Sequence, residues 1–230
     1  IAPLMIGINR PDLVIFDCDG VLVESEAIAN RVFAEMVTAE GYPITPEASL
    51  ARFKGGRFKS IQGVIEEELG RSLGPDWIPR LYDAMYVAFR AELKPVAGVV
   101  GLSDALAAED VPTCVASNGP IAKMQVTLGI TDLWRRFEGR IFSADMVARP
   151  KPAPDLFRHA ADTMGARPAR CLVIEDSPPG VRGGLAAGMN TIALVSDPAD
   201  RPAMAALEPT WMVEDLSRVT EALRAAPAPA

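Results

Sequence analysis

Leu13-Val14-Ile15-Phe16-Asp17-Cys18-Asp19-Gly20 joins four consecutive apolar residues to two carboxylates spaced two apart and closed by a glycine. A short run that is apolar at every position and bounded by turn residues predicts a strand buried on both faces, as in a parallel sheet. Similar runs recur at 113–116, 141–142, 171–174 and 191–195. The stretches between and after them carry helical periodicity at about 99–108, 121–128, 154–164, 180–187 and 215–225. Strands alternating with helices in this way predict the α/β class, with a doubly wound, Rossmann-like parallel sheet.

The interval from residue 22 to about 111 is far longer than one crossover helix requires. Amphipathic helices are predicted there at 26–40, 60–69 and 76–92, joined by turn-rich pieces and without a convincing strand. The expected organisation is an α/β core of residues 1–22 and 97–230 carrying an inserted all-helical cap of residues 23–96. Val23-Glu24-Ser25 and Lys94-Pro95-Val96-Ala97-Gly98 are its connectors, which read equally as hinges or as ordinary loops. Residues 1–11 look irregular and 225–230 are Ala/Pro low complexity, so neither enters the fold argument.

A net charge of −7 without a Lys/Arg block argues against nucleic acid or an anionic membrane surface as partner. No apolar stretch approaches the roughly 20 residues of a spanning helix. Cys18, Cys114 and Cys171 lack metal-ligand or CxxC spacing and sit in or just after apolar runs, which fits buried thiols in a reducing compartment. The expectation is a cytoplasmic protein, monomer or homodimer, acting on a small metabolite.

Three predicted strands end on polar residues: Asp17, then Ser117-Asn118, then Glu175-Asp176. In an open parallel sheet the ligand crevice lies at the carboxyl ends of the strands, so these groups should converge. Gly20 lets the loop turn tightly and brings backbone amides close to a phosphate. Asp17, Asp19 and Asp176 would repel one another unless a cation sits among them, and an oxygen-only set selects a hard ion such as Mg²⁺. Taken alone, Asp17 would also fit a simple Asx-turn. Lys151, in Arg149-Pro150-Lys151-Pro152, would hold Asp17 and neutralise a transferring phosphoryl group if the loop faces the crevice. The Ser117 hydroxyl and the Asn118 amide suit a phosphoryl oxygen, and Ser117 reads alternatively as a helix N-cap. In the cap, Lys54, Arg57 and Lys59 cluster in a glycine-containing turn that would bind a second anionic group of a substrate or simply face solvent. His159, the sole histidine, lies away from every motif and reads as structural.

Four segments in this order resemble the haloacid dehalogenase-like superfamily, in particular its capped phosphatases and β-phosphoglucomutases. They are Phe16 to Ser25, Ala116-Ser117-Asn118-Gly119, Arg149 to Asp155, and Glu175-Asp176-Ser177-Pro178-Pro179-Gly180. The resemblance implies an aspartyl-phosphate on Asp17 and general acid/base work by Asp19. It also implies Mg²⁺ on Asp17, the Asp19 carbonyl and Asp176, with Glu175 in or just behind that set, and a phosphoryl clamp of Ser117 and Lys151. The expected activity is magnesium-dependent hydrolysis of a small phosphate ester, a sugar or sugar-acid phosphate. Dehalogenases of the superfamily lack an acid at the place of Asp19. The mutases carry a His where this chain has Ala29-Asn30 and Gly-x-Ser-Arg where it has Gly55-Gly56-Arg57-Phe58, which demotes a sugar phosphate mutase to the alternative. A non-catalytic phosphometabolite-binding regulator is the alternative of another class, disfavoured because a pure binder gains nothing from an acid/base at Asp19. Glu24 stands where Asp is commoner in these proteins.

Overall fold

The computed structural model describes residues 10–53, 56 and 58–225. Six strands form one parallel sheet: β1 (Leu13–Phe16), β2 (Thr113–Ser117), β3 (Ile141–Ser143), β4 (Cys171–Glu175), β5 (Asn190–Leu194) and β6 (Trp211–Val213). Their order is β3-β2-β1-β4-β5-β6. The chain builds outward from β1 to β3, then crosses back to β4 and builds the other way. Strand order therefore reverses between β1 and β4, and the ligand crevice of such a sheet lies beside that reversal.

All four residues of β1 are fully buried, because alternate side chains enter two different layers. Val14 and Phe16 join one apolar cluster, together with Val115, Leu172 and Ile174 of the neighbouring strands. Leu13 and Ile15 face the other layer, with Cys114, Cys171 and Val173. The first layer is completed by α5 (Val99–Ala108), α6 (Ile121–Ile130), α7 (Trp134–Phe137) and α11 (Leu216–Ala225); the second by α8 (Asp155–Thr163) and α9 (Pro178–Ala186), with α10 (Arg201–Ala205) beyond.

Between β1 and α5 stand α1 (Glu26–Ala39), α2 (Pro46–Phe53), α3 (Phe58–Leu69) and α4 (Trp77–Glu92), an all-helical insertion. The three helices anticipated there are present, and α2 is a fourth that the pattern reading missed. Its single fully buried residue, Ser49, is polar, so no apolar stripe marks it. Its start is written differently: Thr45 Oγ1 accepts the Ala48 amide at 3.2 Å, Pro46 occupies the first helical position and Glu47 follows. Strand β6 was likewise unanticipated; it is three residues long and pairs only with β5. The connectors run side by side, with Glu24 N donating to Lys94 O at 3.0 Å and Val96 N to Leu22 O at 3.0 Å. Above them Phe33, Trp77, Leu81 and Phe89 belong to the same apolar cluster as Phe16 and Ile174, so the core runs unbroken from the sheet into the insertion. No helix among the described residues is long and apolar enough to cross a membrane.

Candidate active site

Asp17 follows β1 directly, and its amide continues the ladder to Ile174 O at 3.0 Å. Its carboxylate meets Lys151, whose ammonium donates to Asp17 Oδ1 at 2.5 Å, to Ala116 O at 2.6 Å and to Glu175 Oε1 at 2.6 Å. All three donors of this buried lysine are thereby used, and Nζ stands 4.8 Å from the Phe157 ring centre. The Lys151 backbone is pinned by Asn118: Lys151 N donates to Asn118 Oδ1 at 3.0 Å and Asn118 Nδ2 donates to Lys151 O at 3.2 Å. Burial pushes the Asp17 carboxyl up to about 8; Lys151 opposes that rise while the Glu175 and Asp19 carboxylates add to it. Burial alone would depress Lys151, but Asp17 and Glu175 more than reverse this and hold it above the ordinary lysine value.

Glu175 is fully buried at the end of β4. Its Oε2 accepts from the Asp176 amide at 3.1 Å, the Ser177 amide at 3.2 Å and the Ser177 hydroxyl at 2.9 Å. Ser177 in turn caps α9, accepting the Gly180 amide at 3.2 Å. A β-carbon on Gly180 would lie 1.8 Å from Glu175 Cδ, so only glycine leaves room for this carboxylate. Gly20 is constrained twice: it has φ +79°, and a β-carbon there would fall 1.9 Å from Asp176 Oδ2. Asp17, Glu175 and Asp176 bring carboxylate oxygens within 4.8 Å of one another. Together with Asp19, four carboxylates gather about two lysines, Lys151 and Lys123, a formal excess of two negative charges. An oxygen-only donor set with that excess fits a hard divalent cation.

Asp19 was expected here; its partner was not. Lys123, on α6 and buried, donates from Nζ to Asp19 Oδ1 at 2.7 Å, and the Ser25 hydroxyl donates to the same oxygen. Burial raises the Asp19 carboxyl, but Lys123 and Ser25 outweigh it and leave the group below the usual carboxylate range. The signal for Lys123 lay in α6 itself. Lys123 and Thr127 are a polar pair one turn apart on a face otherwise made of Met124 and Leu128, and a lysine buried on such a face requires an anion. Ser25 stands at the N-cap of α1 without capping it, its hydroxyl being given to Asp19.

Ser117, buried at the end of β2, accepts the Gly119 amide at 3.1 Å, and Ser143 ties the same loop by donating to Gly119 O at 2.9 Å. Pro120 holds the N-cap position of α6, which removes the helix-cap reading of Ser117. These groups floor a crevice of about 260 Å³ roofed by Asn30, Phe33, Phe53, Phe58 and Tyr82. Lys59 is exposed at its rim, whereas Lys54 and Arg57 lie outside the described residues. Asn30 is held by Ser49, which donates to its Oδ1 at 3.1 Å, and by its own donation to Glu26 O at 3.0 Å. His159 packs edge-on against Phe142 at 5.5 Å, away from the crevice.

Fold and site together define an enzyme with a doubly wound parallel sheet and an acidic, lysine-clamped centre beneath a helical cap. The chain belongs to the haloacid dehalogenase-like hydrolases, whose profile matches residues 11–188, and its enzyme class is phosphoric monoester hydrolase. It is 35% identical to the 6-phosphogluconate phosphatase of Escherichia coli (strain K12) over 195 residues, 84% of this chain and 87% of that protein. A haloacid dehalogenase-like protein of Agrobacterium tumefaciens superposes with a TM-score of 0.77 at 32% identity, covering 93% of this chain and 98% of the other. A family hydrolase from Deinococcus radiodurans, solved with phosphate and sodium bound, gives 0.74 at 29% identity and covers 96% and 100%.

Proposed function

We propose that this enzyme is a magnesium-dependent phosphatase of a small sugar or sugar-acid phosphate, working through an aspartyl-phosphate on Asp17. The carrying observation is the pair of carboxylates at Asp17 and Asp19, each bound by its own buried lysine at the floor of one crevice. Asp17 attacks phosphorus with the oxygen that Lys151 does not hold, and Lys151 draws negative charge off the transferring group. Ser117 and the Asn118 amide orient the phosphoryl oxygens, and Gly20 allows the loop to approach them. Asp19 gives its proton to the departing alkoxide and then takes one from water. A dianionic phosphate arriving beside Asp19 favours the protonated form that the first of these steps needs. Mg²⁺, on Asp17, the Asp19 carbonyl and Asp176 with Glu175 behind, would supply the missing positive charge.

The 6-phosphogluconate phosphatase relative supports the sugar-acid end of that range, and Lys59 at the rim, with Arg57 two positions before it in sequence, suits a substrate carboxylate. Alanine at both positions should then raise KM for such a substrate. We place the core at residues 1–22 and 97–230 and the cap at 23–96, a division supported by the paired connectors. The three buried, free thiols, all pushed upward by burial, suit a reducing cytoplasm. The reading is tested by screening sugar phosphates, sugar-acid phosphates and simple phosphate esters with and without Mg²⁺, against an Asp17→Asn background. Hydrolysis of none of them above that background sinks it. Product analysis with a β-sugar 1-phosphate separates hydrolysis from mutase action.

The metal assignment has a signature in stability. Without a cation, native Asp17 binds its proton more tightly than the unfolded chain does. That stabilisation is full below about pH 4 and is lost as pH rises through about 8. In EDTA the Tm advantage of wild type over Asp17→Asn should therefore shrink between about pH 5 and 8, and Mg²⁺ should raise wild-type Tm most at the upper end. A Tm indifferent to Mg²⁺ across that range removes the assignment. Gly20→Ala tests the same corner: its β-carbon displaces Asp176, and left-handed backbone costs a further 1–2 kcal/mol or so. The Mg²⁺ concentration for half-maximal activity is expected to rise roughly tenfold or more, as for other disturbed metal supports; an unchanged requirement excludes Asp176 as a ligand.

A further inference from the structure

We propose that Lys123 is a positioning residue, holding the Asp19 carboxyl so that its second oxygen faces the ester oxygen of the substrate. This rests on the reading of Asp19 as acid and base. Both donors to Asp19, the Lys123 ammonium at 2.7 Å and the Ser25 hydroxyl, come to Oδ1. Oδ2 is turned toward the phosphoryl loop: it lies 3.8 Å from the point where a β-carbon on Gly119 would stand, and Ser117 Oγ lies 3.4 Å from that same point. A phosphoryl group held by Ser117 and attacked by Asp17 brings its ester oxygen to this side.

The two donors are not equivalent. Ser25 belongs to the connector that leads into α1, and its hydroxyl is a neutral donor, without the charge that Lys123 brings to the carboxylate. Lys123 projects from α6 of the core, is 8% exposed, and is overlaid by α4. It therefore ties the Asp19 carboxyl to the frame that also carries Ser117 and Lys151. In the first transfer the bond from Asp17 to phosphorus forms as the ester P–O bond breaks, and the proton on Asp19 Oδ2 passes to the departing oxygen. In the second, water oxygen bonds to phosphorus, its proton returns to Asp19, and the Asp17–phosphorus bond breaks. Lys123 takes no part in either exchange; it fixes where the proton is delivered.

Because the effect runs through Asp19, it depends on the leaving group, which a general loss of structure would not. The test compares kcat/KM of Lys123→Met for an alkyl phosphate ester, whose alkoxide needs a proton, and for p-nitrophenyl phosphate, whose phenolate leaves without one. The expected loss is about 100-fold for the alkyl ester, the scale of general acid catalysis, and only about 3-fold for the nitrophenyl ester. Adding Lys123→Met to Asp19→Asn should bring little further loss on the alkyl ester, the mark of two residues acting as one. Lys123→Gln, which keeps an N–H donor, should recover part of the alkyl activity, and it carries the same comparison if the methionine variant does not fold. Equal losses on both esters, or none on either, overturn the positioning role. A wild type inactive on every ester instead overturns the phosphatase reading, a distinct result visible before any variant is made.

Discussion

Lys151→Met is expected to lose both catalysis and stability, because this one ammonium closes the charge balance of the whole floor. Its removal strands Asp17 and Glu175 together, the second of them fully buried, and frees Ala116 O of its donor. Breaking a buried ion pair by deleting one partner costs about 3–5 kcal/mol. Asp17 lessens this by taking a proton, since its carboxyl already stands at about 8, so the lower end of that range applies. For a chain of this size the loss corresponds to a fall in Tm of roughly 6–12 °C. Activity should fall by about 1,000-fold or more, the scale of removing one preorganised charge from a transition state. Thermal melting in EDTA and in Mg²⁺ separates the two effects. A variant that melts like wild type in EDTA would show that Asp17 and Glu175 do not depend on this lysine.

Asp17→Asn is expected to lose activity without losing stability. The carboxamide cannot serve as nucleophile, and kcat should fall by about 10,000-fold or more. Stability should not follow. Lys151 keeps Glu175 and Ala116 O as acceptors, and the carboxamide is neutral, like the protonated carboxyl that burial favours at this position below about pH 8. Tm in EDTA near neutral pH is expected to match or exceed that of wild type. An acid quench after mixing with substrate should trap phosphate on the wild-type chain and none on the variant. Labelled phosphate on the variant would move the nucleophile elsewhere.

Why some of this site could be read from sequence and some could not follows from how each residue is positioned. Asp17, Ser117 and Glu175-Asp176 end apolar strands, and in a parallel sheet a strand end is already a place in space; Lys151 was legible only through the prolines around it and through its company. Lys123 belongs to no strand end. Its meeting with Asp19 spans 104 positions and depends on which face α6 turns inward, which a local pattern does not state outright. The fold divides in the same way. Elements with apolar pattern over a whole turn or strand were legible, including α1, α3 and α4 of the cap. Those that were missed, α2, α7, α10 and β6, span three to eight residues, too short to carry a periodic pattern; α2 owes its form to a start signal and β6 to one neighbouring strand. The turn holding Arg57 was legible as charge without any indication of what the charge faces.

The unbroken apolar core has a bearing on how such an enzyme can change over generations. A cap with its own closed core is a module that can be exchanged whole, as one tool head for another. Here Phe33, Trp77 and Leu81 share one interior with Phe16 and Ile174, so an exchanged cap would have to match the surface beneath it residue by residue. A change of specificity that leaves this interior intact is therefore confined to roof positions outside it, such as Asn30, because Phe53 and Tyr82 line the crevice and also pack against the shared core.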